Sequence, residues 1–182
     1  SQEVVDNRKK LDEMGIKYIP FYKAVDFEES LSSEKADKLE AALYHMGILD
    51  ALIVDADNRN KILGIEGNIC DKYLFSDIEH VKPGIMEVIQ VYNAKDDIIL
   101  YQQISNVLSG IGYYSKDVQP STWAGLEGHY RIGVLEGTTG TGYKAKYIGA
   151  AAKERYRSER IEELKKQIDV LEKQIKQIEW DI

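Results

Sequence analysis

The chain has 182 residues, of which 43% are hydrophobic, and it carries a formal net charge of −7. That apolar fraction is enough to build a buried core, so the composition excludes a chain that is disordered as a whole. Cys70 is the single cysteine, which excludes an internal disulfide and favours a reducing compartment. No apolar run approaches the roughly 18 residues of a membrane span, and no signal peptide is recognisable. We therefore expect a cytoplasmic protein without a membrane partner. Because Ser1 opens directly into a helical pattern, we also expect a piece of a longer protein.

A short polar helix is predicted over residues 1–15. Val4, Leu11 and Met14 share one face of this helix. We interpret the segment as the end of an N-terminal coiled-coil arm, followed by a globular domain over residues 16–150.

The first part of the globular domain reads as mixed α and β structure. Residues 16–22 are rich in β-formers, and Pro20 suits a strand end or a sheet edge. Ser32 or Ser33 can cap a helix, and Gly47 can end it.

The following segments predict one strand and two helices. The apolar run over residues 48–54 predicts a buried strand. Apolar spacing over residues 85–92 indicates a helix, and a further helix is predicted over residues 96–108 with Asp96 as its N-cap.

Three predicted strands, over residues 122–124, 130–135 and 143–148, form a β-meander. Alternation along the last two strands places apolar and aromatic side chains on one sheet face. Burial of such a face against another surface is favourable. We take this face as a candidate dimer interface; the alternative is that its side chains pack inside their own domain. The candidate residues are Tyr130, Ile132, Val134, Tyr143, Ala145 and Tyr147.

The glycine-rich segment 137–142 joins the last two predicted strands. Gly137 and Gly142 have the spacing of a phosphate-binding loop, but Tyr143 and Lys144 follow where that motif needs Lys and then Ser or Thr. No helix is predicted after the loop to bind a phosphate at its N-terminus. A hairpin loop is therefore preferred to a nucleotide site.

No constellation of residues predicts an active site. His45, His80 and His129 lack ligand spacing, and Cys70 has no CxxC partner. We therefore expect no catalytic residues, no metal, no cofactor and no enzymatic activity in this chain.

Residues 141–160 are locally basic on an acidic chain, with six Lys or Arg against two Glu. Such a run can contact a DNA backbone in a sequence-independent and salt-sensitive way. The alternative is a solvated face that balances nearby acids. The residues of the candidate DNA contact are Lys144, Lys146, Lys153, Arg155, Arg157 and Arg160.

Residues 151–182 are predicted to begin a C-terminal coiled-coil arm. Apolar residues recur at spacings of 3 and 4 in an otherwise charged segment, which is an a/d seam. The alternative is an amphipathic helix docked on the domain. An isolated helix of this kind is marginal, so we expect an antiparallel helix to pack against it, with the N-terminal helix as the candidate. The predicted seam consists of Val4, Leu11 and Met14 on the N-terminal helix and of Ile161, Leu164, Ile168, Leu171, Ile175, Ile178 and Ile182 on the C-terminal helix.

Several stretches of the chain resemble the hinge domain of SMC-like proteins of the MukB-like branch. They resemble most the SMC-like subunits of Wadjet anti-plasmid defence systems, the JetC/EptC family. The stretches are YIPFYKAVDF (18–27), LEAAL (39–43), GILDALIV (47–54), CDKYLF (70–75), LYQQISN (100–106), YRIGVLEG (130–137), YKAKYIG (143–149) and RYR (155–157).

The resemblance implies an α+β fold, a compact mixed α/β hinge domain flanked by antiparallel coiled-coil helices. It also implies that the hinge joins two copies of the subunit in a bacterial, DNA-embracing complex that extrudes DNA loops. The ATPase heads would lie outside this chain, and kleisin-type and nuclease subunits would be partners of the full protein.

Overall fold

The computed structural model describes residues 1–66, 71–76, 80–92, 94 and 96–181. Cys70 and Ile182 therefore lie outside the described residues. The helices are α1 (Gln2–Glu13), α2 (Phe21–Ala24), α3 (Ser33–His45), α4 (Arg59–Leu63), α5 (Ile98–Ser109) and α6 (Ala150–Trp180). The strands are β1 (Tyr18–Pro20), β2 (Val25–Phe27), β3 (Leu52–Val54), β4 (Tyr73–Phe75), β5 (Ile89–Val91), β6 (Gly112–Tyr113), β7 (Thr122–Ala124), β8 (His129–Ile132) and β9 (Leu135–Thr138).

The strands form three small sheets, in the orders β1-β3-β4, β2-β5 and β6-β7-β8-β9. The pairs β3–β4 and β6–β7 are parallel, and the other pairs are antiparallel. This is a mixed α+β architecture, as the sequence predicts.

Strand β3 separates two apolar clusters. Ile53 packs into the main core, whereas Leu52 and Val54 belong to a second cluster, because successive side chains of a strand point to opposite faces. The second cluster also contains Leu11 of α1 and Ile62 of α4. Helix α1 therefore covers one face of this sheet.

Polar contacts also bind α1 to the globular domain. The Asn7 Nδ2 donates hydrogen bonds to Asp71 Oδ2 and to the Tyr73 hydroxyl, both at 2.9 Å. Arg8 forms an ion pair with Asp71 at 3.3 Å. Asn7 and Leu11 are both buried, so α1 is part of the domain and not a free arm.

The two longest predicted helices of the domain are confirmed. Helix α3 begins after Ser32, whose hydroxyl accepts a hydrogen bond from the backbone N–H of Lys35. Gly47 follows the helix with a φ of 75°, the left-handed conformation that glycine tolerates. Helix α5 is also present, but its N-cap is Asp97, whose carboxylate accepts from Leu100 N at 3.0 Å, and not Asp96.

The predicted helix over residues 85–92 is wrong. Ile85–Glu87 form a single 3-10 turn, and Ile89–Val91 form β5, which pairs with β2. Strand pairing prevails over helical spacing in so short a segment. The predicted strand over residues 48–54 is present only as β3, at its end.

The predicted third strand of the meander, over residues 143–148, is also wrong. The hairpin turns earlier, at Gly133 with a φ of 57° and Val134, and β9 ends at Thr138. The first two residues of the predicted glycine-rich loop belong to β9, and residues 139–142 join β9 to an extended segment and not to a strand. The backbone N–H groups of that segment bond to side chains of α3 instead of to a neighbouring strand.

Candidate functional site: the root of the long helix

Two acidic residues of α3 contact residues 143–148, the extended segment that leads into α6. We call this segment and the first two turns of α6 the root of the long helix. Asp37 and Glu40 are three residues apart, so they share one face of the helix. Asp37 is 6% exposed and Glu40 is 0% exposed. A buried carboxylate is costly unless hydrogen-bond donors or cations surround it. The contacts of these two side chains therefore determine how the following segment is held.

The extended segment wraps the Glu40 carboxylate with backbone donors. The backbone N–H groups of Lys146 and Ile148 donate to it at 2.9 Å each, and the N–H of Tyr147 bonds to both of its oxygens at 3.2 and 3.3 Å. The Tyr143 hydroxyl donates to Glu40 Oε1 at 2.8 Å. Consecutive backbone N–H groups that converge on one anion form a nest, and here the anion is part of the protein.

Asp37 binds both the segment and α6. Its carboxylate accepts from the backbone N–H of Ala145 at 2.7 Å, from Arg155 Nη2 at 2.9 Å and from Lys144 Nζ at 3.4 Å. Arg155 also donates to the carbonyl oxygen of Ala145 at 2.9 Å. Arg155 therefore fastens the second turn of α6 to α3.

The pKa of Asp37 reflects this environment. Burial alone raises the pKa of the carboxyl, but the hydrogen bond from Ala145 and the charge of Arg155 lower it more, so the net shift is downward from 3.8. Burial raises the pKa of the Tyr143 hydroxyl, and its hydrogen bond to Glu40 raises it further. The site therefore holds an ionised Asp37 and a neutral Tyr143 at neutral pH.

A glycine sets the direction in which α6 leaves the segment. Gly149 has a φ of 80°, and a Cβ at this position would meet Asp26 Oδ1 at 2.5 Å. Both the backbone angle and the close approach require glycine here.

Basic and aromatic side chains surround the first turns of α6. The Lys153 ammonium lies 5.8 Å from the ring centres of Tyr22 and Tyr92, and the Lys146 ammonium lies 5.4 Å from that of Tyr156. These are cation–π distances.

The predicted DNA-contact residues lie at or near the root of the long helix, and three of them form ion pairs within the chain. Lys144 and Arg155 pair with Asp37, and Arg160 pairs with Glu163 at 3.1 Å. Arg157 is exposed. Within the basic run, Lys144 and Arg155 bind the extended segment and α6 to α3, whereas the Arg160 pair lies within α6 itself.

The C-terminal seam is a continuous apolar stripe on a helix that contains no buried residue. Its described members from Ile161 to Ile178 are 41–61% exposed. The predicted pairing with α1 is wrong for Leu11, which is fully buried in the second cluster. Val4 of α1 is half-buried, and Met14, the residue that follows α1, is exposed. No part of the described chain covers the stripe.

The six residues of the predicted dimer face do not lie on one sheet. Ala145 is 2% exposed, and Tyr143 and Tyr147 lie on the segment that crosses α3, not on the sheet. Tyr130 and Ile132 do lie on β8, and Val134 occupies the hairpin turn with 103% exposure. Alternation failed here because the third strand does not exist.

Rings from three elements form a surface that joins two residues of the predicted dimer face, Tyr130 and Tyr143, to two residues of α3. His45 stacks on Tyr130 with ring centres 6.1 Å apart, Tyr44 lies 5.8 Å from His45, and Tyr143 lies 6.1 Å from Tyr44. We call these four residues the aromatic surface. Ile132 and Leu135, paired across β8 and β9, extend it with exposed apolar side chains.

Sequence reasoning missed Asp37 and Glu40. They sit between the apolar positions of α3, and a helical pattern alone assigns such acids to the solvent side. The only signal is their three-residue spacing beside Ala36 and Leu39, which places them next to the buried stripe.

The described residues do not suggest a cofactor site. Among them, no three His, Cys, Asp or Glu side chains converge as metal ligands. The glycine-rich loop lines a cavity of about 400 Å³ with three acids, Glu34, Asp37 and Glu127, and two cations, Lys38 and Lys144. Both lysines pair with these same carboxylates, so the charge around the cavity does not favour a phosphate. Over the same described ranges, no helix combines the length and the apolar character needed to cross a membrane.

Comparison with known proteins finds no matching protein-family model, no similar curated protein and no similar solved structure.

Proposed function

We propose that this chain is the homodimerising hinge of an SMC-like ATPase of the Wadjet type, which links two coiled-coil arms in a DNA-embracing, loop-extruding complex. One observation carries the proposal. Helix α6 extends from a mixed α+β domain with an uncovered apolar seam, while buried carboxylates of α3 fix its root. A helix that is rigidly held at one end and apolar along one stripe is suited to be an arm.

The apolar seam of α6 supports the interpretation as a coiled-coil arm, because a second helix is needed to bury it. Ile161, Ile168 and Ile175 occupy a positions, and Leu164, Leu171 and Ile178 occupy d positions, which is the apolar seam of a coiled coil. Each apolar side chain that remains half exposed forgoes burial worth about 1 kcal/mol. We infer that the partner is an antiparallel helix of the same polypeptide outside this chain.

The aromatic surface supports the dimer contact. Tyrosine and histidine rings cover large area at low cost in conformational entropy, and tyrosine is enriched at interfaces. Val134, Leu135 and Ile132 add exposed apolar area at the adjacent hairpin. We infer an isologous contact in which this surface meets its copy.

Multi-angle light scattering of the purified chain at tens of micromolar tests the dimer. We expect a dimer for the unaltered chain, and a monomer for Val134→Lys combined with Leu135→Lys. Val118→Lys is the matched control, because Val118 is an exposed apolar residue at 56% in a different loop. A monomeric unaltered chain would contradict the proposal.

A seam variant separates the two ways of dimerising. Ile168→Lys disrupts pairing through α6 and leaves the aromatic surface intact. If this variant alone dissociates the dimer, two copies pair through their arms and the hinge contact is wrong.

The alternative function is a DNA-binding module that uses residues 144–160 without stable dimerisation. Arg157 is exposed, and Lys146 and Lys153 are partly exposed beside tyrosine rings, which favours some contact with DNA. Gel retardation at low salt tests it. Retention that survives charge reversal at Lys146, Lys153 and Arg157 would exclude this surface.

A further inference from the structure

A groove lies on the side of the domain formed by α1, β1 and α5. Its volume is about 900 Å³, and its floor is apolar, with Ile16, Ile19, Ile53, Ile99 and Leu100 among the lining residues. This size and this lining are typical of ligand sites.

The groove follows a strand edge. Lys17, Tyr18 and Ile19 line it in succession, although neighbouring side chains of a strand point to opposite faces. Lys17 immediately precedes β1, and Tyr18 and Ile19 of β1 pack against the two different apolar clusters. A cavity that touches all three residues therefore runs along the edge of the strand. Strand β1 lies at the end of its sheet and pairs with β3 alone among the described strands. Such an edge can accept the backbone of an extended peptide.

The rim of the groove is acidic. Among the described residues, three carboxylates line it, Asp12, Asp55 and Asp97, against the single cation Lys17. Asp55 accepts a hydrogen bond from Gln103 at 2.9 Å, and Asp12 accepts one from the Tyr18 hydroxyl at 3.3 Å. These bonds hold both carboxylates in place at the rim and leave each of them further acceptor capacity.

The acidic rim argues against a second copy of this chain as the occupant. An isologous contact here would place three carboxylates of one copy against the same three of the other. Like charges brought together in this way disfavour the contact. A basic segment would instead be attracted, and the net charge of −7 of the whole chain acts in the same direction.

We propose that this groove binds an extended peptide segment of a partner protein, one that presents an apolar residue flanked by Lys or Arg. The peptide backbone pairs with the edge of β1, the apolar side chain enters the floor beside Ile53 and Ile99, and the flanking cations meet Asp12, Asp55 and Asp97. This inference is independent of the proposed hinge function, because the groove shares no residue with the aromatic surface or with the root of α6.

The experiment is selection of a random peptide library, displayed on phage, against the immobilised chain. We expect enriched sequences with an apolar residue between basic residues. Synthetic fluorescent copies of those sequences should bind with micromolar Kd by fluorescence anisotropy.

Two matched pairs of variants locate the binding. Asp12→Lys should weaken binding at least about tenfold, equivalent to about 1.4 kcal/mol, whereas Glu13→Lys on the next position, outside the groove, should not. Ile99→Ser should weaken it similarly, whereas Ile98→Ser should not, although Ile98 is 75% exposed and Ile99 70%.

Three results would overturn the proposal. These are the absence of enrichment over an unrelated acidic protein, enriched sequences without basic residues, and binding that both groove variants leave unchanged. The oligomeric state of the variants, measured in parallel, should not change, which keeps this test separate from that of the dimer.

Discussion

The guanidinium of Arg155, in the second turn of α6, donates a hydrogen bond at 2.9 Å to the buried carboxylate of Asp37 in α3. The two residues are 118 positions apart in the sequence. This contact and the nest around Glu40 fix the long helix to the domain, and the first two predictions concern them.

The first prediction concerns pH. Because the pKa of Asp37 in the folded protein is lower than its ordinary value of 3.8, its contribution to stability is present above that pH and is lost as the pH falls below it. Asp37→Asn should lower the free energy of unfolding by about 2 kcal/mol at pH 7, and the difference should shrink toward pH 3. Urea denaturation followed by circular dichroism measures it.

Asp50→Asn is the control for this experiment. Asp50 is an exposed residue whose ion pair with Lys72 is also exposed, so its loss should cost less than about 1 kcal/mol at either pH. A difference for Asp37→Asn that stays constant with pH would contradict the assignment.

The second prediction concerns Glu40. In Glu40→Gln, an amide N–H₂ group replaces one of the two acceptor oxygens. This group would face backbone N–H donors in a buried site, and those donors would lose their acceptor. We expect a loss of about 2–3 kcal/mol in the free energy of unfolding. Hydrogen exchange should show faster exchange at the amides of Lys146 and Ile148. Unchanged exchange at these amides would show that the nest does not depend on the carboxylate.

The third prediction concerns Gly149. Gly149→Ala should destabilise the protein by more than about 1 kcal/mol, because φ is positive and the new methyl group meets Asp26. Gly140→Ala is the matched control, since nothing lies within 4 Å of a Cβ there and its φ is not positive. Equal melting temperatures for the two variants would contradict the role of Gly149.

The fourth prediction separates two residues that the sequence assigns to one seam. Leu11→Ala should lower the free energy of unfolding by about 2–4 kcal/mol, because Leu11 is fully buried in the core beneath α1. Ile168→Ala should change it by less than about 0.5 kcal/mol, because Ile168 lies on an uncovered face. Equal losses would mean that the two helices are packed together in solution.

Helices with caps and regular apolar spacing were predictable from the sequence, as α3, α5 and α6 show. Helices α3 and α5 combine a capping residue with a helical period, and α6 has a helical period sustained over residues 161–178. Segments whose conformation depends on distant partners were not predictable. Ile89–Val91 becomes a strand because β2 lies beside it, and residues 143–148 remain extended because Asp37 and Glu40 bind their backbone.

The site itself was only half predictable. The basic residues of the run 144–160 were visible as charge, but their partners were not, because pairing with Asp37 spans more than 100 residues. The aromatic surface gathers rings from α3, β8 and the extended segment, and no local period connects them.

The fixed root of α6 has a mechanical consequence. With 31 residues, α6 is about 46 Å long at 1.5 Å per residue, so a tilt of about 10° at Gly149 would move its far end by about 8 Å. The contacts of Asp37 and Glu40 with residues 144–148 and Arg155 therefore determine the direction of the whole helix. A small change in the hydrogen bonds of these two carboxylates would produce a large displacement at the far end of α6. In the same way, a force on the far end would act on the hydrogen bonds of Asp37 and Glu40.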